Sequence, residues 1–178
     1  MQRLWISLVF ILSLLAADSA FAEGWKGGMT IRSAGNVGVG LGAGTLASGL
    51  SLKYFADSNF AIQGNVGWWR SRWWGCDNRR CYGGGDALAV SADAIFEQPV
   101  FAGNGSVDLA WNFGLGGGLG LSDYNNNIGA AAAGILGLEV LINVIPIDIV
   151  LEFRPNILVV PDVAFDLVDF TGHIRFYF

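Results

Sequence analysis

Charged residues are scarce in this 178-residue chain. Asp, Glu, Lys and Arg make up 14% of it, against about 25% in an average soluble domain. That argues against an ordinary water-soluble domain, and a hydrophobic fraction of 53% argues against disorder. Basic residues are also in deficit. A net charge of −5 leaves nothing to drive non-specific nucleic-acid binding, so no nucleic-acid partner is expected. There is one histidine, His173, and there are two cysteines, Cys76 and Cys81. Zinc wants four ligands, so neither a metal nor a cofactor is expected. Catalytic residues are not expected either. Acyl transfer needs a nucleophile, a positioned base and a stabilising site at one place, and no serine lies near His173 in its own segment. Glycine is abundant, at 26 residues, without the three-residue period of collagen. The run GLGGGLGL at 114–121 has no Lys-Ser/Thr after it, so it is not a phosphate loop.

The N-terminus has a different character. Arg3 precedes an apolar core from Leu4 to Leu15, followed by Ala20-Phe21-Ala22. This is the pattern of a secretory signal peptide, 1–22, cleaved after Ala22. The competing reading is a retained helical anchor, but the run falls short of the roughly 20 apolar residues a spanning helix needs. Export makes Cys76 and Cys81 an expected disulfide closing a small loop.

From residue 34 onward the apolar residues recur every second position, the period of a strand. Val37, Val39 and Leu41 alternate with glycines, and Leu50, Leu52 and Tyr54 alternate with Ser51 and Lys53. Phe60, Ile62, Val66 and Trp68 oppose Gln63 and Asn65, and Leu88, Val90, Ala92 and Ala94 oppose Ala89, Ser91 and Asp93. Val107 through Leu115 oppose Asp108, Ala110 and Asn112, and Leu136, Leu138 and Val140 oppose Glu139. Ile147 through Phe153 oppose Asp148, Val150, Glu152, Arg154 and Asn156. Counting back from Phe178, the set Phe176, Ile174, Gly172, Phe170, Val168 opposes Tyr177, Arg175, His173, Thr171, Asp169, Leu167. Turn-forming clusters separate these runs at 56–59, 103–105, 123–127, 143–146 and 161–162.

The pattern predicts eight strands at about 34–43, 48–56, 59–71, 84–97, 105–118, 129–142, 146–158 and 164–178. Each is long enough to cross a bilayer at a tilt, which takes about 9–11 residues. A transmembrane helix over 128–151 competes, but Glu139, Asn143, Pro146 and Asp148 interrupt it. A soluble sandwich also alternates. The aromatics at segment ends (Tyr54, Phe60, Trp68, Phe178), the charges on the opposite faces and the even strand count favour a closed barrel. The expected fold is therefore all-β, an eight-stranded antiparallel transmembrane up-and-down β-barrel over 23–178. Glycines in it permit bends and close strand packing.

Phe176-Tyr177-Phe178 resembles the terminal-strand signal read by the outer-membrane barrel assembly machinery. The stretch GLGAGTLASGLSLKYFADSNFAIQGNVGWW and the end VIPIDIVLEFRPNILVVPDVAFDLVDFTGHIRFYF are similar to a family of small bacterial outer-membrane barrels of mostly unassigned function. Glycine is usual in that family where His173 stands here. The resemblance implies location in the bacterial outer membrane and both termini in the periplasm. It implies loops 43–48, 71–84, 119–128 and 159–164 outside the cell, and turns near 57–58, 98–104 and 143–145 inside. It also implies outer-membrane lipid and the assembly machinery as partners; oligomeric state is left open.

On that placement the stretch WWRSRWWGCDNRRC at 68–81 falls at the outer rim. Trp68, Trp69, Trp73 and Trp74, with Phe178 at the other end, form the expected aromatic girdle. Arg70, Arg72, Arg79 and Arg80 are expected to contact lipopolysaccharide phosphates, which suit the guanidinium fork. The competing reading is a solvated, disulfide-tied loop above a plain girdle. Inward-facing Lys53, Asp93, Asp108, Glu139, Asp148, Glu152, Arg154, Asp169, His173 and Arg175 are expected to form an ion-pair core, since eight strands enclose just enough space for side chains. The expected role is structural, or an envelope interaction through the outer loops. A lipid A-modifying enzyme and a narrow channel are the competing classes.

Overall fold

The computed structural model describes residues 30–69, 76–77, 80–81, 87–122, 127–160 and 163–178. Regular structure among them is entirely β: β1 (Val37–Ala43), β2 (Ser48–Phe55), β3 (Phe60–Trp69), β4 (Cys76–Asp77), β5 (Arg80–Cys81), β6 (Ala87–Glu97), β7 (Ala102–Gly103), β8 (Val107–Ser122), β9 (Asn127–Ile142), β10 (Ile147–Phe153), β11 (Asn156–Val160), β12 (Ala164–Asp166) and β13 (Phe170–Tyr177). Antiparallel pairing runs β1–β2–β3–β6–β8–β9–β10–β13 and back to β1. The sheet therefore closes on itself as an eight-stranded barrel. β11 continues β10, and β12 leads into β13. The short ladder β4–β5 stands apart, and the β7 stub pairs with β8. The helix expected by one reading of 128–151 does not form: β9 and β10 meet there across a tight turn.

Three strand boundaries differ from expectation, each for a local reason. The glycine-rich run was expected to end in a loop from 119, yet β8 and β9 stay paired from Val107↔Ile142 to Ser122↔Asn127. Glycine faces alanine just before that extension, at Gly116↔Ala133, Gly117↔Ala132 and Gly118↔Ala131, so the strands run on together there, and the boundary falls at the turn cluster itself. The seventh barrel strand was expected to be continuous, but it breaks at Arg154-Pro155. Proline has no N–H to donate. Its carbonyl instead accepts from Gly134 N at 3.0 Å, and Arg154 N turns to Asp169 O at 2.8 Å. In the eighth, the two-residue count places Leu167 on the inner face. Leu167 and Val168 are instead both exposed, and the inward phase resumes at buried Asp169. One extra residue at this irregularity shifts the side-chain alternation, as a β-bulge does.

The alternation otherwise sorts side chains inside from out. Outward positions are large and apolar: Leu115 is 71% exposed, Leu151 55% and Ile62 51%. Inward positions form three levels. Toward the end that carries Thr30 and Phe178, Ile31, Phe55, Ala61, Ile95, Ala110, Ile135, Leu141 and Tyr177 make an apolar cluster. At the far mouth Leu46, Ala47, Ala89, Ala131, Ala133 and Leu158 make a second. The charged residues lie between.

The first strand explains how eight strands hold so many long side chains. The inward face of β1 is bare glycine, and Gly38, Gly40 and Gly42 pair with Tyr177, Arg175 and His173 of β13. A Cβ on Gly42 would stand 2.7 Å from His173 Nδ1, and one on Gly38 would run into the Tyr177 ring. The side chains of β13 thus lie across β1 and reach partners on β2 and β3.

Candidate functional site

The inner end of this polar core is a four-membered ion cluster. Lys53 Nζ, from β2, is 2.6 Å from both Glu97 Oε1 and Glu139 Oε1. Arg32 reaches in from the segment before β1, with Nη2 2.7 Å from Glu97 Oε2 and Nε 2.9 Å from Glu139 Oε2. Both Glu97 oxygens are therefore in ion-pair range, Oε1 of Lys53 and Oε2 of Arg32.

One level along, Arg175 holds Asp148 through Nε at 3.1 Å to each oxygen and through Nη2 at 2.8 Å. The Tyr177 hydroxyl donates to the same carboxylate at 2.7 Å. Gln63 joins this pair to the next level. Its Oε1 accepts from Arg175 Nη1, and its Nε2 donates to Asp93 Oδ2 at 3.3 Å and Glu152 Oε1 at 3.1 Å.

The outer cluster centres on Arg154. It donates to Asp93 at 2.7 and 3.1 Å and to Glu152 at 3.1 Å. His173 Nε2 is 3.2 Å from Glu152 Oε2, and His173 Nδ1 is 3.1 Å from Ser51 Oγ. Above them Asp169 accepts from Thr45 Oγ1 and, at 3.4 Å, from Asn156 Nδ2.

Arg32, Lys53, Arg154 and Arg175 thus face six carboxylates: Asp93, Glu97, Glu139, Asp148, Glu152 and Asp169. An unpaired buried carboxylate costs several kcal/mol. The shortfall in cations is why neutral donors crowd in, namely Gln63, Tyr177, Thr45 and Asn156. One neutral group gains nothing. Asn112 is fully buried and neither amide atom has a hydrogen-bond partner.

Of the ten residues expected in the ion-pair core, nine are buried inside the barrel and engaged as above. Asp108 is the exception. It is half-buried at the mouth, where Oδ1 accepts from Gly105 N at 3.0 Å and Oδ2 from Asn143 Nδ2 at 2.7 Å. It ties two turns together rather than pairing with a cation. Glu97 was missed, though it follows Ala89, Ser91 and Asp93 in phase. Arg32 was also missed, because it precedes the first strand and no periodicity reaches it.

Ser51, His173 and Glu152 form a serine–imidazole–carboxylate line that sequence reading did not connect. Ser51 sits on β2, and the contact spans the bare glycines of β1. In such a line the imidazole can take the proton of a serine nucleophile in acyl transfer, while the carboxylate orients the ring. Here the serine is 0% exposed, so no substrate carbonyl reaches its Oγ in this conformation.

At the rim, Trp68 and Phe178 are exposed on the outer face, at 55% and 52%. Arg70, Arg72, Trp73, Trp74 and Arg79 lie outside the described residues, as do the side chains of Trp69 and Arg80. For the cysteines the description stops at the backbone, which pairs Cys76 directly with Cys81.

No family model, no curated protein and no solved structure matches this chain. Fold and interior together define the class: a closed eight-stranded antiparallel β-barrel, charged within and apolar without.

Proposed function

We propose that this chain is an exported bacterial outer-membrane barrel with a structural or envelope-interaction role, and that its outer loops contact lipopolysaccharide. The observation that carries the reading is the inverted polarity. Lys53, Glu139, Glu152, Arg154 and Arg175 are almost wholly buried, while leucine, isoleucine, valine and phenylalanine cover the outside. In water so large an apolar surface drives association. In a bilayer it is the lipid-facing band of a barrel whose closed sheet leaves few backbone groups unpaired. The secretory-signal pattern in residues 4–22 supports the same reading.

The stretch 68–81 supports the lipopolysaccharide part. Exposed Trp68 continues into four arginines within eleven residues, and phosphate is the anion their fork geometry suits. A cross-strand disulfide between Cys76 and Cys81 fits their direct backbone pairing, since facing antiparallel residues stand about 4.5–5.5 Å apart and disulfides need 4.4–6.8 Å.

The test is an outer-membrane fraction run on a gel, boiled and unboiled. Faster migration unboiled supports a detergent-resistant barrel, whereas a soluble periplasmic protein with no heat shift refutes the membrane assignment. Alanine at Arg70, Arg72, Arg79 and Arg80 should release co-purifying lipopolysaccharide; unchanged co-purification removes that part alone. The competing enzyme and channel readings predict, respectively, an altered lipid A mass profile on deletion and conductance in planar bilayers.

A further inference from the structure

The segment Thr30–Asn36 closes the mouth at which Phe178 also lies, yet it belongs to no strand. It is held by Gly35 N donating to Phe55 O at 2.8 Å, by Phe55 N donating to Asn36 O at 3.0 Å, and by bonds within itself. Ile31 fills the apolar cluster beside Phe55 and Tyr177. Arg32 then crosses the mouth. Its Nε and Nη2 both donate to Glu139 Oε2, Nη2 also lies against Glu97 Oε2, and Nη1 donates to the Gln98 carbonyl.

Those three acceptors sit at the end of β6, just after it, and on β9. The ladders β6–β8 and β8–β9 fix their spacing, so their arrangement does not depend on the strap. They meet all three nitrogens of a guanidinium: one Glu139 oxygen shared by Nε and Nη2, a Glu97 oxygen at Nη2, and a carbonyl at Nη1. An ammonium has no such planar fork, and Lys53 already supplies the point charge between the two carboxylates. We propose that Glu97, Glu139 and the Gln98 carbonyl form a guanidinium-binding site, and that Arg32 occupies it in cis as a removable stopper. The ligand it takes in trans is a small guanidinium compound. The site does not depend on whether the barrel lies in a membrane.

Purified full-length mature protein in detergent, followed by the β-sheet circular dichroism signal on heating, tests this. Arg32→Ala should lower the transition by on the order of 10 °C, because one partner of a buried charge pair is lost. Millimolar ethylguanidinium should restore at least half of that shift, and ethylammonium at the same concentration should not. The unsubstituted protein should respond to neither. The proposal is overturned by an unchanged transition in Arg32→Ala, by no restoration, by equal restoration with ethylammonium, or by an equal rise in the unsubstituted protein. If Arg32→Ala does not fold alone, it is refolded with ethylguanidinium present. Recovery of the sheet signal then supports the site, and failure to recover overturns it.

Discussion

Replacing Arg154 with methionine asks whether the barrel interior is dry. Arg154 is the cation shared by Asp93 and Glu152, with three hydrogen bonds between 2.7 and 3.1 Å. Methionine keeps most of the volume and none of the charge. It leaves two buried carboxylates, with Gln63 Nε2 touching both and His173 touching Glu152. Removing one partner of a buried pair costs about 3–5 kcal/mol, and two orphaned acids place this case near the upper end. A second substitution, Asp93→Asn, removes one of those acids, so the double variant should recover about 2 kcal/mol of the loss. The assay is urea unfolding in detergent micelles, read by tryptophan fluorescence. A single-variant loss under about 1 kcal/mol is the scale of a solvent-exposed ion pair. That result would mean water reaches the network, and the argument from a sealed core would be refuted.

Other sites give sharper local tests. Gly42→Val places a branched side chain where His173 Nδ1 already stands 2.7 Å from a Cβ position. The unfolding midpoint should fall, with a cost of about 1–3 kcal/mol or more from overpacking. Asn112→Leu removes a buried amide that has no partner, so stability in the same urea assay should stay level or rise by about 1–2 kcal/mol; a comparable loss would show that an internal water satisfies the amide. Cys76 and Cys81 should resist iodoacetamide until reduced, as read by intact mass. Cys81→Ser should then leave Cys76 reactive without reductant, with a stability cost of no more than about 2–3 kcal/mol for so short a loop.

The barrel was legible because of one rule: apolar residues recur at period two on the outward faces. The opposite faces are polar on several strands, and least so on β9, where Ala131, Ala133, Ile135 and Leu141 accompany Glu139. The eighth strand breaks the period at Leu167, where an extra residue shifts the phase and nothing in the local composition marks the shift. Glu97 obeys the rule and could have been read from Asp93 by stepping four residues on. Arg32 could not, since it enters the core from irregular backbone. Partnerships were less legible than positions. Ser51 and His173 lie on strands that do not pair with each other, and they meet only because Gly40 and Gly42 leave the intervening strand bare. A pattern of types along one strand says which way a residue points; which residue it meets depends on what its neighbours lack.

That dependence also separates the rim from the interior. Of the basic residues after position 22, Arg32, Lys53, Arg154 and Arg175 are committed to lumenal carboxylates. The others are Lys26 and the four arginines between positions 70 and 80. Asp169, the one of the six lumenal carboxylates in no salt bridge among the described residues, already accepts from Thr45 and Asn156. The described interior therefore has no call on the arginines between positions 70 and 80, and their concentration in sequence next to an exposed tryptophan is not explained by barrel stability. Substituting all four with alanine should leave the unfolding midpoint within about 0.5 kcal/mol of the starting protein, the range of surface changes. A larger drop would tie that stretch to the barrel and remove the ground for assigning it a ligand outside.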